Sequence, residues 1–115
     1  KNNGAFFNIL RIRVSKNNQI NDCLFASSGN LENKIDLPYR KSGSAALDMA
    51  YVASGRYDGY FQNNLNLWDI AAGIIIIKEA GGLISEIDLS KIKNIKVIAS
   101  STDISGKLNE KLVNF

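Results

Sequence analysis

One carboxylate stands out by its setting. Asp69 follows Trp68 and leads into Ile70-Ala71-Ala72-Gly73 and then four isoleucines, Ile74 to Ile77. An aspartate at the start of an apolar helical segment can accept the free backbone N–H groups of the first turn, and on the residues alone this N-cap is the plainer role. A second role fits the same setting. The isoleucine run predicts a helix that is apolar nearly all round and buried between layers. A charge at a buried helix start must be offset by backbone donors or by a cation. Composition narrows which cation. The chain has no histidine and a single cysteine, Cys23. This removes Ser–His and Cys–His nucleophile pairs, histidine bases, and metal sites built on imidazole or thiolate. Any metal is then held by oxygen, as a hard cation such as Mg²⁺, Mn²⁺ or Ca²⁺.

The elements that must position Asp69 follow from periodicity. Gly4 to Ser15 alternates with a slip near Asn8, read as a hairpin or bulge. Asp22 to Ala26 reads as a short buried strand and Ser27 to Leu37 as a loop. Ser44 to Ser54 reads as an alanine-rich helix with Gly55 at a left-handed C-terminal cap. Tyr57 to Phe61 is a short aromatic strand, and Gln62 to Leu67 a polar connector. Asp69 to Ala80 is the second helix, closed by Gly81 and Gly82. Leu83 to Ile87 and Lys96 to Ser100 are strands. Asp103 caps a last helix whose Ile104, Leu108 and Leu112 fall on one face. The order predicts a single α/β domain, a layered mixed β-sheet with flanking helices.

With 115 residues, 45% of them hydrophobic, the chain suits one domain with a core. The net charge of +3 is mild and scattered. Lys91, Lys93 and Lys96 alternate with Ile92 and Ile95, which reads as a solvated strand edge rather than a nucleic-acid patch. The apolar run Ile70 to Ile77 is too short to span a bilayer, and no signal peptide is visible. With one cysteine no internal disulfide is possible, so a reducing, cytoplasmic setting is expected. Cys23 is expected to be a buried small apolar group, Asp58 a structural residue, and Glu79 a partner for a basic side chain.

WDIAAGIIIIKEAGG, Trp68 to Gly82, resembles the C-terminal signature of the inositol monophosphatase family of Mg²⁺-dependent, lithium-sensitive phosphatases. RKSGSAALDMAYVASGRYDGYF, Arg40 to Phe61, is similar to the segment preceding that signature. GAFFNILRIRVS resembles the family's hairpin after the metal site, and the likeness continues through KVIAS. The resemblance implies the C-terminal half of an αβαβα sandwich, spanning residues 1–115. It implies that Asp69 ligates a Mg²⁺ ion near a substrate hydroxyl, and that Gly43, Ser44 and Ala45 form the turn against the inositol ring. On the residues alone these three cap a helix, a role compatible with the first. Arg40 matches an arginine beside that turn, or else forms a structural ion pair. Gln62 stands where inositol-specific members often carry a glutamate that touches the sugar hydroxyls. Glutamine keeps an acceptor, adds donors and loses the charge. Polyol binding is thereby kept in outline, and strict inositol preference is not.

The family's remaining metal ligands, a glutamate and an Asp-Pro-(Ile/Leu)-Asp-Gly-Thr motif, do not occur between Lys1 and Phe115. The resemblance places them in an N-terminal half. The chain is therefore expected to be a fragment that begins in mid-hairpin, without a complete catalytic set and inactive alone. The intact mechanism implied is in-line attack on phosphorus by a metal-activated water. A phosphorylated polyol is the implied substrate and a homodimer the implied assembly. Bisphosphonucleotides or fructose bisphosphate are the alternative substrates. A non-catalytic module linked to RNA regulation is the alternative from another class, although no basic stripe or stacking aromatics support it.

Overall fold

Residues that alternate in side-chain character along the strands supply both faces of one sheet, and the helices follow from what those faces must bury. The computed structural model describes residues 5–7, 10–29, 37–87, 90–112 and 115. Strands β1 (Ala5–Phe7) and β2 (Leu10–Ile12) pair antiparallel, Ala5 opposite Ile12, so the first segment is a hairpin. The slip near Asn8 lies outside the described residues, as does most of the 27–37 loop. Then come β3 (Phe25–Ser27), β4 (Arg40–Lys41), helix α1 (Ala45–Ala53), β5 (Gly59–Leu65), helix α2 (Leu67–Glu79), β6 (Leu83–Ile84), β7 (Ile95–Ser100) and helix α3 (Ser105–Lys111). The five later strands form one sheet in the order β4-β3-β5-β7-β6. β3 is parallel to β4 and β5, whereas β7 is antiparallel to β5 and β6. The sheet is mixed, as the alternation of elements predicts.

Period-2 alternation divides the core in two. Ala26, Tyr60, Val97 and Ala99 face α1 and α2, packing with Met49, Val52, Ala53, Ile70 and Ile77. Phe25, Phe61 and Ile98 face the other way and pack with Ile104, Leu108 and Leu112. The three residues read as the apolar face of the last helix do form it. α1 and α2 approach closely at Gly73, where an added Cβ would lie 2.7 Å from Met49 Sδ and 2.9 Å from its Cβ.

Several boundaries differ from the sequence reading, each for a local reason. α2 starts at Leu67 with Asn66 as N-cap, so Asp69 lies in the first turn rather than capping it. The start is set by the backbone: Leu67 N–H donates to Ile92 O at 2.8 Å and Asp69 N–H to Asn66 O at 3.1 Å. Nor is α2 buried all round. Ile70, Gly73 and Ile77 are buried, while Trp68 and Ile75 are 78% and 61% exposed. β5 runs on to Leu65 because Gln62 pairs with Val97 of β7, so Gln62 is a strand residue and not part of a connector. β6 stops at Ile84: Ser85 N–H still donates to Ile98 O at 2.8 Å, but Ile98 N–H donates to Ser85 Oγ at 3.0 Å in place of a backbone carbonyl. Cys23 follows a 3-10 turn, Ile20–Asp22, instead of lying in a strand, and is only half-buried. Asp103 sits inside a 3-10 turn, Thr102–Ile104, whose N-cap is Ser101. Among the described residues, no helix is long and apolar enough to cross a membrane.

Candidate functional site

The parallel strands β3 and β5 end on the same side as the starts of α1 and α2. A crevice outside the carboxyl ends of parallel strands is where open α/β sheets bind ligands. Such a cleft is present here, about 450 Å³ in volume. Ser28, just beyond β3, and Leu65, at the end of β5, form part of its wall. Gly43, Ser44, Ala45 and Ala46 line it from the start of α1, and Trp68, Asp69 and Ala72 from the start of α2. Four of the five candidate residues, Gly43, Ser44, Ala45 and Asp69, thus meet across two helices that are remote in sequence.

The turn on the α1 side is built for that position. Gly43 has φ +87°, a conformation that side chains resist. Ser44 is the N-cap, its Oγ accepting from Leu47 N–H at 3.2 Å. Capping is therefore what the structure shows of Ser44, and it leaves the turn on the cleft wall. Arg40 is exposed on the edge strand β4 and forms no ion pair among the described residues.

Gln62 does not line the cleft. It is 5% exposed, and its Oε1 accepts from Ser27 Oγ and, at 3.0 Å, from Gly29 N–H, while Nε2 donates to Asn63 O at 3.2 Å. Its strand position turns the carboxamide inward, toward the 27–29 loop. Ser28 in that loop shares a 2.6 Å hydrogen bond with Tyr60 Oη. Burial pushes the Tyr60 hydroxyl up to about 12; the Ser28 bond opposes this and the carboxylates of Asp48 and Asp69 add to it.

Asp48 is the residue that sequence reasoning passed over. It lies on α1 and is fully buried; its Oδ2 accepts from Ser42 Oγ at 2.7 Å, and its Oδ1 has no donor. Burial raises its pKa, and the Ser42 bond lowers it. The signal was available. Ala45, Asp48, Met49 and Val52 recur at i, i+3, i+4 and i+7, so an acid occupies a core-facing helical stripe. Asp58 behaves as read, its Oδ2 accepting from Leu24 N–H at 2.7 Å. Burial and the carboxylates of Asp58 and Asp22 push the Cys23 thiol up to about 11, away from thiolate chemistry. Glu79 meets no basic partner among the described residues, and its Oε1 is buried without a donor.

Among the described residues, a bound metal would find one exposed carboxylate on the cleft wall, that of Asp69. Among the described residues no three cysteine or acidic side chains come together as a metal site. These residues fit one ligand of a hard-cation site but do not complete it.

The fold is thus a mixed-sheet α/β layer with a cleft at two helix starts, lined by Asp69 and a glycine turn. The profile of the inositol monophosphatase family matches residues 1–114, and the chain belongs to that family. It is 33% identical over 126 residues to the Nus factor SuhB of Haemophilus influenzae, covering 95% of this chain and 47% of that protein. It is 42% identical over 92 residues to the fructose-1,6-bisphosphatase/inositol-1-monophosphatase of Thermotoga maritima, covering 72% and 36%. The solved inositol monophosphatase from Anabaena (Nostoc) superposes with a TM-score of 0.83 at 28% identity, covering 97% of this chain and 51% of that one. The chain thus spans about half the length of the relatives it matches.

Proposed function

We propose that this chain is the C-terminal, substrate-side domain of a cytoplasmic Mg²⁺-dependent phosphatase acting on inositol monophosphate or a similar polyol phosphate. The observation that carries the reading is the joining of the Gly43–Ser44–Ala45 turn and Asp69 in one cleft at two helix starts. Helix N-termini favour a phosphate group. A carboxylate in the same cleft repels that phosphate unless a cation lies between them, which favours Asp69 as a metal ligand. Bound Mg²⁺ would supply an activated water and neutralise phosphate charge. This chain's own part is to hold one ligand oxygen at Asp69, to present the turn to the polyol, and to wall the cleft with Ser28.

Gln62, facing inward, places no charge against a sugar ring, so the reading extends to phosphate monoesters beyond inositol. One carboxylate does not hold Mg²⁺ usefully, so the 115 residues alone are inactive and the full-length protein is the enzyme, as a homodimer. The test is phosphate release with Mg²⁺ from inositol 1-phosphate, fructose 1,6-bisphosphate and a 3′,5′-bisphosphonucleotide. Turnover by the full-length protein and not by the isolated chain supports the reading, and the preferred substrate selects among the three. Turnover by the isolated chain contradicts it.

A second reading is favoured by the Haemophilus relative, named a Nus factor, which matches nearly the whole chain. In that case the protein is a regulatory module bound to RNA. Salt-dependent RNA binding without phosphate release would select it.

A further inference from the structure

A fully buried carboxylate at a core-facing position of α1 is costly to desolvate, more so with one oxygen lacking a donor. Asp48 is such a group, and its side chain is hydrogen-bonded to the turn that forms the cleft wall. Ser42 Oγ–H donates to Asp48 Oδ2 at 2.7 Å. The same Ser42 Oγ accepts from Ser44 N–H at 3.1 Å, bridging over Gly43. Asp48 N–H in turn donates to Ser44 O at 3.0 Å. That backbone bond is the first i→i−4 bond of α1 and any residue at 48 makes it; what the Asp48 carboxylate adds is the hold on Ser42, at the start of a three-residue turn whose middle residue is in the left-handed conformation. The turn itself is exposed at Ser42 and Gly43, so few packing contacts hold it in place, and hydrogen bonds must.

We propose that Asp48 is a positioning residue: through Ser42 it locks the Ser42–Gly43–Ser44 turn in the shape that faces Asp69, so that the cleft is pre-formed for the polyol part of the substrate. The role rests on the reading of the cleft as the phosphate-ester site. It is distinct from catalysis, since Asp48 is sealed from the cleft and touches no reacting atom. A pre-formed wall lowers the ordering cost of binding. Its loss therefore appears in KM, and the chemical step proceeds once substrate is held.

The test uses Asp48→Ala, Ser42→Ala, their combination, and two conservative variants, Asp48→Asn and Ser42→Thr, in the full-length protein. Amide hydrogen exchange of the 42–46 segment is read alongside kcat and KM. Each alanine variant is expected to speed exchange in that segment tenfold or more, with protection elsewhere unchanged, and to raise KM about tenfold with kcat within threefold. The double variant is expected to be no worse than either single one, because both remove one link. Asp48→Asn and Ser42→Thr, which keep an acceptor and a hydroxyl, stay near the parent protein and guard against simple unfolding. Unchanged exchange, or effects of the two alanine variants that multiply, would overturn the lock. Faster exchange with unchanged KM would overturn its role in substrate binding. Absence of turnover by the parent protein contradicts the phosphatase reading instead, and the exchange data then decide the lock by themselves.

Discussion

Asp48 and Asp69 are two aspartates with opposite surroundings. Asp69 is exposed in the first turn of α2 and free to meet a ligand; Asp48 is sealed inside the α1 face. Burial raises the pKa of Asp48 despite the Ser42 bond, and that shift carries a stability consequence. With the folded value above the unfolded one, the protonated acid favours the native state below the ordinary carboxylate range. This contribution is lost as pH rises from that range through the raised value. Asp48→Asn keeps an acceptor for Ser42 and has no charge to desolvate. Urea midpoints of parent and variant should therefore diverge, in favour of the variant, between about pH 3.5 and neutral pH. Equal differences at both ends would show that burial does not disfavour the Asp48 carboxylate.

Gly73 is where the two helices that carry the turn and Asp69 are held together. An alanine there adds a methyl 2.7 Å from Met49 Sδ and 2.9 Å from Met49 Cβ, and the latter atom cannot swing away. Alanine's better helix propensity is worth about 1 kcal/mol, against about 1–3 kcal/mol for overpacking a tight contact. Gly73→Ala should lower unfolding stability by about 1 kcal/mol, read by urea titration, and shrinking Met49 to alanine in the same chain should relieve part of the clash. Much of this arrangement was legible beforehand. The 44–54 and 69–80 helices, the Ile104–Leu108–Leu112 face and the mixed sheet all follow from periodicity that packing does not override. What was not legible depended on partners distant in sequence. Gln62 reads as connector until Val97 pairs with it, and α2 starts before Asp69 because Ile92 O binds the Leu67 amide. The cleft was legible in part. Asp69 stood out by its setting at the start of an apolar helix and Gly43, Ser44 and Ala45 through the family resemblance, whereas Ser28 enters only when β3 lies beside β5.

Among the described residues, α2 carries an exposed apolar stripe. Trp68 and Ile75 stand along α2 at i and i+7 with Ala71 and Ala72 between them, and Leu47 of α1 is 47% exposed. A stripe of this kind calls for a partner surface, in keeping with a chain that spans half the length of its relatives. The isolated 115 residues should accordingly self-associate, and Trp68→Glu with Ile75→Glu should return the sedimentation mass to that of a monomer; a monomeric parent chain would argue against the stripe as a contact surface. Whether Asp69 ligates a metal is open to direct measurement. Phosphate release from the preferred substrate is followed across a Mg²⁺ titration in the full-length protein and in Asp69→Asn. A metal ligand predicts a loss of about 100-fold or more in kcat/KM, comparable to removing a large transition-state charge stabiliser, with a higher Mg²⁺ requirement for the residual rate. An unchanged rate and an unchanged Mg²⁺ midpoint would show that Asp69 is not a metal ligand.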